Sequence, residues 1–168
     1  GISTCVAGAP SSGKTTLAGW LLTTIPDGKR IFTIENGSRE LALVREKDGK
    51  VTNSVIHTLT RYSENEKQNI DQDMLLDMAL RFNPEIICVG EMRSSEAYTA
   101  QESARTGHTV LTTIHSNSCE STYSRMRTLC KRKYDMDDEV LMDLVTEAFP
   151  IVVFTKQLEN RKRKLMEI

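Results

Sequence analysis

The sequence predicts an α/β fold in which a mostly parallel sheet carries helices on both faces. Short apolar segments rich in β-branched residues alternate with longer amphipathic segments along the chain. The first such pair is joined by a glycine-rich loop, and 168 residues suffice for one domain with a buried core. Because neighbouring parallel strands need a long crossover, strands that alternate with helices favour this arrangement over hairpins.

The elements are assigned from hydrophobic periodicity and from turn and capping residues. The predicted strands span 2–9, 30–35, 85–91, 108–115, 151–158 and 164–168. Two further strands within 41–61 are expected to flank a turn around Asp48 and Gly49, and 62–69 is expected to be an exposed loop. The predicted helices span 15–25, 70–83, 94–105, 119–133 and 138–149.

The apolar spacing of the first two helices also predicts which side chains face the sheet. In the first helix these are Leu17, Trp20 and Leu21, and Thr24 follows them on the same side. In the second helix the predicted inner face consists of Met74, Leu75, Met78 and Phe82.

The loop between the first strand and helix carries the strongest chemical signal. Its sequence, GAPSSGKT, has the phosphate-binding pattern of Gly, four residues, Gly-Lys and then Ser or Thr. A strand, a glycine loop and a helix in this order aim backbone N–H groups and a helix N-terminus at a phosphate. Lys14 is expected to reach the β- and γ-phosphates, and the Thr15 hydroxyl to bind Mg²⁺. The predicted nucleotide contacts are Gly8, Ala9, Pro10, Ser11, Ser12, Gly13, Lys14, Thr15 and Thr16.

Two later strands end in polar residues that suit the same site. Glu91 closes the strand EIICVGE, and open α/β sheets bind ligands at the carboxyl ends of their strands. A carboxylate there can hold the water shell of Mg²⁺ or position an attacking water. His108 and His115 bracket the next strand, and His115 or Thr113 is a candidate sensor of the γ-phosphate.

Charge and cysteine content exclude several other classes of protein. The 22 basic and 23 acidic residues nearly cancel, so no overall field favours nucleic acid or a membrane surface. The basic runs 131–133 and 161–164 are interpreted as solvated faces. No apolar run approaches the roughly 20 residues of a membrane-spanning helix. The four cysteines form no CxxC pair, which argues against zinc or a disulfide framework and favours a reducing cytosol.

Four segments in order resemble the superfamily of secretion ATPases, which drive type II and type IV secretion, type IV pili and tight-adherence pili. They are GAPSSGKT, TIENGSREL, PEIICVGEMRSSEA and TGHTVLTTIHSNS, and the tight-adherence and conjugative-type branch is the most similar. The resemblance implies a RecA-like ATPase domain that uses ATP and Mg²⁺. It implies that Glu91 is the Walker B carboxylate, which holds Mg²⁺ through water together with Thr15. It also implies that His108 and His115 form a histidine box at the nucleotide.

The resemblance further implies a homo-hexameric motor at the inner face of the cell membrane. Its partners would be inner-membrane secretion or pilus platform proteins, and direct contact with nucleic acid is not expected. In the family, such ATPase domains usually follow an amino-terminal domain. Since a strand begins here at residue 2, residues 1–168 are expected to be a single domain excised from a longer chain.

The acidic segment departs from the family pattern, which has IED, two residues and then Glu. Here Asn36 replaces the Asp and one residue is inserted. The resemblance places the water-activating carboxylate at the end of this segment, so Glu40 is the first candidate and Glu35 the alternative. Arg61 matches a position that arginine occupies in the family and is the first candidate for an arginine that acts between subunits. The runners-up are Arg45, Arg81 and Arg93.

Two other functions remain open from the residues alone. A small phosphotransferase would need an acceptor site and an arginine-rich lid, for which 125–133 is the only candidate segment. A nucleic-acid motor would need basic loops or stacking aromatic side chains, but aromatic residues make up only 5% of the chain.

Overall fold

A computed structural model describes all residues from 1 to 168, and most of them lie in nine strands and five helices. The strands are β1 (Thr4–Gly8), β2 (Arg30–Glu35), β3 (Glu46–Lys47), β4 (Lys50–Val51), β5 (Ser54–Leu59), β6 (Ile86–Met92), β7 (Thr109–Ile114), β8 (Ile151–Gln157) and β9 (Arg163–Glu167). The helices are α1 (Lys14–Thr23), α2 (Gln72–Arg81), α3 (Glu96–Arg105), α4 (Cys119–Cys130) and α5 (Asp138–Ala148). None of these helices is both long enough and apolar enough to cross a membrane.

Seven of the strands form one sheet in the order β5-β2-β6-β7-β1-β8-β9. All neighbouring strands in this sheet are parallel except β8 and β9, which form an antiparallel hairpin at one edge. The mostly parallel sheet predicted from the sequence is therefore confirmed. Because parallel strands end at a common edge, the residues that follow β1, β2, β6 and β7 lie along one side of the molecule.

Each face of the sheet has its own apolar core. Alternate strand residues point to opposite faces, so Val6 packs with Ala18 and Leu22 of α1. Its neighbours Cys5 and Ala7 instead join the larger core that the sheet forms with α2 to α5. Helices cover both faces, as the sequence predicted.

The predicted inner face of α1 is wrong in detail. Trp20 is 62% exposed, whereas Ala18 and Leu22 are buried against the sheet. Leu17 and Leu21 lie at the margins of this contact and are only half-buried. Trp20 lies two residues after Ala18, which places it on nearly the opposite side of the helix, towards solvent.

The inner face of α2 also differs from the prediction. Leu75 is buried as expected, but Met74, Met78 and Phe82 are exposed. Leu76 and Ala79 take the positions against the core instead. The periodic spacing was correct, but the apolar stripe was assigned to a face rotated from the buried one.

The segment between β2 and β5 forms less regular structure than expected. The turn at Asp48 and Gly49 joins only the two-residue strands β3 and β4, which form a separate small ladder. Leu41 and Leu43 are not in a strand, yet both are buried against the α1 core. This segment thus covers the sheet beside α1 and brings its polar residues to the carboxyl edge.

Candidate nucleotide site

The phosphate loop lies between the end of β1 and the start of α1, and its two glycines are required by the local geometry. Gly13 precedes the helix with φ +96°, in the left-handed region that favours glycine. A Cβ on Gly8 would collide with the Thr155 carbonyl oxygen and the Ser12 hydroxyl. The Ser12 Oγ also lies 3.1 Å from Thr155 Oγ1, so a side chain of β8 supports the loop.

Lys14 is the buried cation of the loop. Its Nζ donates to the Ala9 carbonyl oxygen at 2.8 Å and lies 3.3 Å from Nδ1 of His115. Burial lowers the pKa of the Lys14 amine, and the carboxylate of Glu91 opposes this shift. The ammonium is thereby held at the loop, facing the ends of β6 and β7.

Glu91 and His115 meet beside Lys14. The His115 Nε2 lies 3.0 Å from Oε1 of Glu91, and its Nδ1 lies 3.3 Å from the Gly8 carbonyl oxygen. Arg93 donates to the other carboxylate oxygen at 2.6 Å, and this hydrogen bond raises the pKa of the Arg93 guanidinium. Oε1 of Glu91 is buried and has no well-aligned hydrogen bond.

The acidic segment presents its two candidate carboxylates very differently. Glu35 ends β2 and is almost fully buried, and its Oε1 accepts from the backbone N–H groups of Glu40 at 2.7 Å and Leu41 at 3.0 Å. Glu40 is exposed, and its carboxylate has no partner in the structure. Asn36, which replaces the family's Asp, accepts from the Thr60 hydroxyl at 2.7 Å. Glu35 therefore anchors the segment that carries Glu40.

A cleft on the α1 side of the sheet brings these elements together. Its polar lining comes from α1, the acidic segment and the ends of β6 and β7, namely Thr15, Glu35, Asn36, Ser38, Glu40, Gly90, Glu91, Arg93 and Thr113. The Thr113 hydroxyl donates to the Gly90 carbonyl oxygen at 2.7 Å. Thr15 and Glu40 also line the adjoining groove along α1.

The oxygen donors in this cleft suit Mg²⁺. Hard divalent cations prefer carboxylate, hydroxyl and water oxygens, and Mg²⁺ usually keeps several waters and binds substrate phosphates. Thr15 and Glu91 supply such oxygens, and Oε1 of Glu91 is a buried acceptor without a hydrogen bond. No cluster of three or more His, Cys, Asp or Glu side chains forms a self-sufficient metal cage. This pattern fits a cation shared between protein and phosphate.

Two predicted site residues lie away from the loop. His108 precedes β7, at the opposite edge of the sheet from His115, and a strand of six residues separates them by about 20 Å. Its Nδ1 lies 3.1 Å from the Pro84 carbonyl oxygen. Arg61 follows β5, four strands and roughly 19 Å from β1. Its guanidinium is exposed and has no hydrogen bond or ion pair.

The structure adds residues that sequence reasoning did not select. Thr155 supports the loop from β8, and Arg163 on β9 donates from Nε to the Ser11 carbonyl oxygen at 2.8 Å. Thr60 holds the acidic segment. Thr155 and Thr60 were single polar residues near strand ends, and Arg163 was part of a basic run that was interpreted as solvated. Only the strand pairing reveals their neighbours.

Of the three runner-up arginines, Arg81 ends α2 with an exposed side chain, whereas Arg45 and Arg93 form ion pairs. Arg45 forms an ion pair with Asp27 and donates to the Ile25 carbonyl oxygen at 3.0 Å, which ties the β2–β5 segment to the end of α1. Arg93 pairs with Glu91. Neither guanidinium is free in the way that Arg61 is.

The fold and the phosphate loop define a RecA-like P-loop NTPase domain. The model of the family described as type II/IV secretion system protein matches residues 2–158. The chain belongs to this family, as the resemblance in sequence predicted.

Several members are similar over nearly the whole chain. The type IV secretion system protein PtlH of Bordetella pertussis is 30% identical over 169 residues, which cover 97% of this chain and 48% of PtlH. VirB11 of Bartonella quintana is 29% identical over 174 residues, which cover 97% of this chain and 44% of that protein.

The crystal structure of the VirB11 ATPase from the Brucella suis type IV secretion system, in complex with sulphate, superposes with a TM-score of 0.83. It is 27% identical, and the match covers 99% of this chain and 47% of that one. The chain spans about half the length of these relatives.

Proposed function

We propose that this chain is the ATP-hydrolysing domain of a motor for protein secretion, conjugative transfer or pilus assembly. The observation that carries the proposal is that His115 bridges Lys14 and Glu91 at the phosphate loop, at 3.3 Å from the Lys14 Nζ and 3.0 Å from the Glu91 carboxylate. A buried lysine, a strand-end carboxylate and a histidine converge there from three strands. Membership of the secretion family supports ATP as the nucleotide.

The loop binds the phosphates and balances their charge. Backbone N–H groups at the start of α1 and the helix dipole attract anions, and Lys14 adds a full positive charge. Burial of Lys14 strengthens this interaction, because few waters compete for the ammonium. Thr15 and, through water, Glu91 would hold Mg²⁺, which would supply further positive charge to the phosphates.

Glu40 acts on the water that attacks the γ-phosphorus. Its carboxylate is free and lines the cleft with Thr15, so it can accept a proton from that water. The new oxygen–phosphorus bond forms as the bond to the bridging oxygen breaks, which yields ADP and phosphate. Glu35 is less suited to this step because one of its oxygens already holds the Glu40 and Leu41 N–H groups. His115 reports the γ-phosphate to Glu91 through their close contact.

Assembly into a homo-hexamer would complete the site. The unpaired Arg61 follows β5, the outermost strand on its side of the sheet, four strands from the strand that leads into the phosphate loop. A guanidinium in that place can serve the nucleotide of a neighbouring subunit, where it would stabilise charge on the transferred phosphoryl group. The motor would work at the cytoplasmic face of the membrane, with secretion or pilus platform proteins as partners.

The test is Mg²⁺-dependent ATP binding and steady-state hydrolysis by the purified chain. Lys14→Ala should abolish binding, and Glu40→Gln should retain binding but lower turnover by at least about a hundredfold. Lys47→Ala is the control, because Lys47 is an exposed lysine of the β3–β4 hairpin. Wild-type turnover in Lys14→Ala would refute the proposed active site, and wild-type turnover in Glu40→Gln would remove Glu40 as the base.

A further inference from the structure

The last strand of the sheet places an arginine directly against the phosphate loop. Arg163 opens β9, the antiparallel edge strand, and its Nε donates to the Ser11 carbonyl oxygen at 2.8 Å. Its Cδ lies 3.0 Å from the position that a Cβ on Gly13 would occupy. The side chain thus lies across the loop at the point where α1 begins. Residue 163 is outside the range 2–158 that the family model matches.

The surroundings of this side chain are those of a phosphate contact. Together with Ser11, Gly13, Lys14, Thr15 and Thr16 it lines an open polar recess without apolar residues. These residues are the end of the phosphate loop and the first turn of α1, whose N–H groups point towards an anion. The terminal nitrogens of Arg163 have no hydrogen bond or ion pair in the structure. A guanidinium with free donors therefore borders the recess where the proposed loop receives phosphate.

We propose that Arg163 contacts the phosphate chain of the bound nucleotide from within the same subunit. The inference rests on the proposed ATP site and adds a residue to it. Arginine suits this role, because its planar donors can bridge two phosphate oxygens while Nε keeps its bond to the loop. The hairpin of β8 and β9 then supports the loop through Thr155 and contacts the nucleotide through Arg163.

Other side chains of the basic run provide a matched control. Lys164 is the next residue of the same strand, and its side chain points to the opposite face because strand residues alternate. The Lys164→Ala substitution removes one positive charge from the same segment, and residue 164 does not contact the loop. Any loss of affinity caused only by net charge would appear equally in Arg163→Ala and Lys164→Ala.

The experiment measures the dissociation constants of ADP and ATP with Mg²⁺ by calorimetry, and the melting temperature without nucleotide. We expect Arg163→Ala to weaken both nucleotides about tenfold or more, as the loss of a charge-assisted hydrogen bond does. Its melting temperature should equal that of the wild type, since the side chain is exposed. Lys164→Ala should bind like the wild type.

Arg163→Gln separates a phosphate contact from simple support of the loop. Glutamine can still donate to the Ser11 carbonyl oxygen but carries no charge. If it binds as weakly as the alanine variant, the charged contact is supported; if it binds like the wild type, loop support explains the effect and the proposal is overturned. Wild-type affinity in Arg163→Ala also overturns it. If the wild type itself fails to bind, or Lys14→Ala still binds, the ATP site fails instead.

Discussion

The two carboxylates of the acidic segment can be told apart by stability, because only one of them is bonded to the protein. Glu35 is 4% exposed, and its Oε1 holds the N–H groups of Glu40 and Leu41. Each hydrogen bond to a charged group contributes about 1.5–3 kcal/mol. Glu35→Ala breaks both and leaves two donors without a partner, but it also removes a buried carboxylate whose desolvation is costly. We expect a net loss of about 2–4 kcal/mol from the free energy of unfolding.

Urea unfolding followed by circular dichroism measures this loss directly. In a chain of this size it corresponds to a melting temperature lower by about 5–15 °C. Glu35→Gln keeps an acceptor oxygen and should lose roughly half as much. Glu40→Gln, at an exposed position, should stay within about 0.5 kcal/mol of the wild type and yet lose hydrolysis.

The opposite pattern would refute this division of roles. If Glu35→Gln abolishes hydrolysis at unchanged stability while Glu40→Gln turns over ATP, Glu35 is the base. If Glu35→Ala unfolds within 0.5 kcal/mol of the wild type, its contacts to the backbone do not anchor the segment.

Two further predictions concern pH and packing. Burial, aided by Arg39 and opposed by Glu35, lowers the pKa of His57 from 6.5, so the unfolded chain binds a proton more readily than the native one. The free energy of unfolding should therefore fall as the pH drops from 6.5 towards the lowered pKa of His57. Urea titrations at successive pH values measure this fall. His57→Gln should remove the part of it that His57 causes. Leu22→Ala should destabilise the protein by about 2–5 kcal/mol and Trp20→Ala by less than 1 in the same assay, and equal losses would contradict the observed face of α1.

The order of elements and the phosphate loop were predictable because each rests on local patterns. Apolar runs bounded by turn residues marked the strands of the large sheet, and glycine spacing marked the loop. The faces of α1 and α2 were not predictable in the same way, since several residues on each helix have similar hydrophobicity. Which of them is buried depends on how the helix packs on the sheet, and in α1 the buried face carries Ala18 and Leu22.

The residues of the candidate site were predictable where they lie at or soon after the carboxyl end of a central strand. Lys14, Glu91 and His115 meet because β1, β6 and β7 are parallel and end at one edge. His108 does not join them, because it precedes β7 whereas His115 follows it, and the two ends of a strand lie at opposite edges of the sheet. Arg163 could not be found from the sequence, since its position beside the loop depends on the pairing of β8 with β1 and of β9 with β8.

The orientation of Glu91 depends on an irregularity that no simple alternation predicts. In β6, Cys88 belongs to the core beside α1 and Val89 to the larger core, so strict alternation would turn Glu91 towards α2 to α5. The pairing with β7 instead contains one extra residue between Val89 and Met92, which is a β-bulge. The bulge reverses the alternation, so Glu91 lines the cleft on the α1 side and Met92 enters the larger core. Gly90 fits this turn because a Cβ there would lie only 3.2 Å from the Ile34 carbonyl oxygen. The carboxylate of Glu91 thus reaches the cleft and His115 because the end of β6 is irregular, although the segment looked regular in sequence.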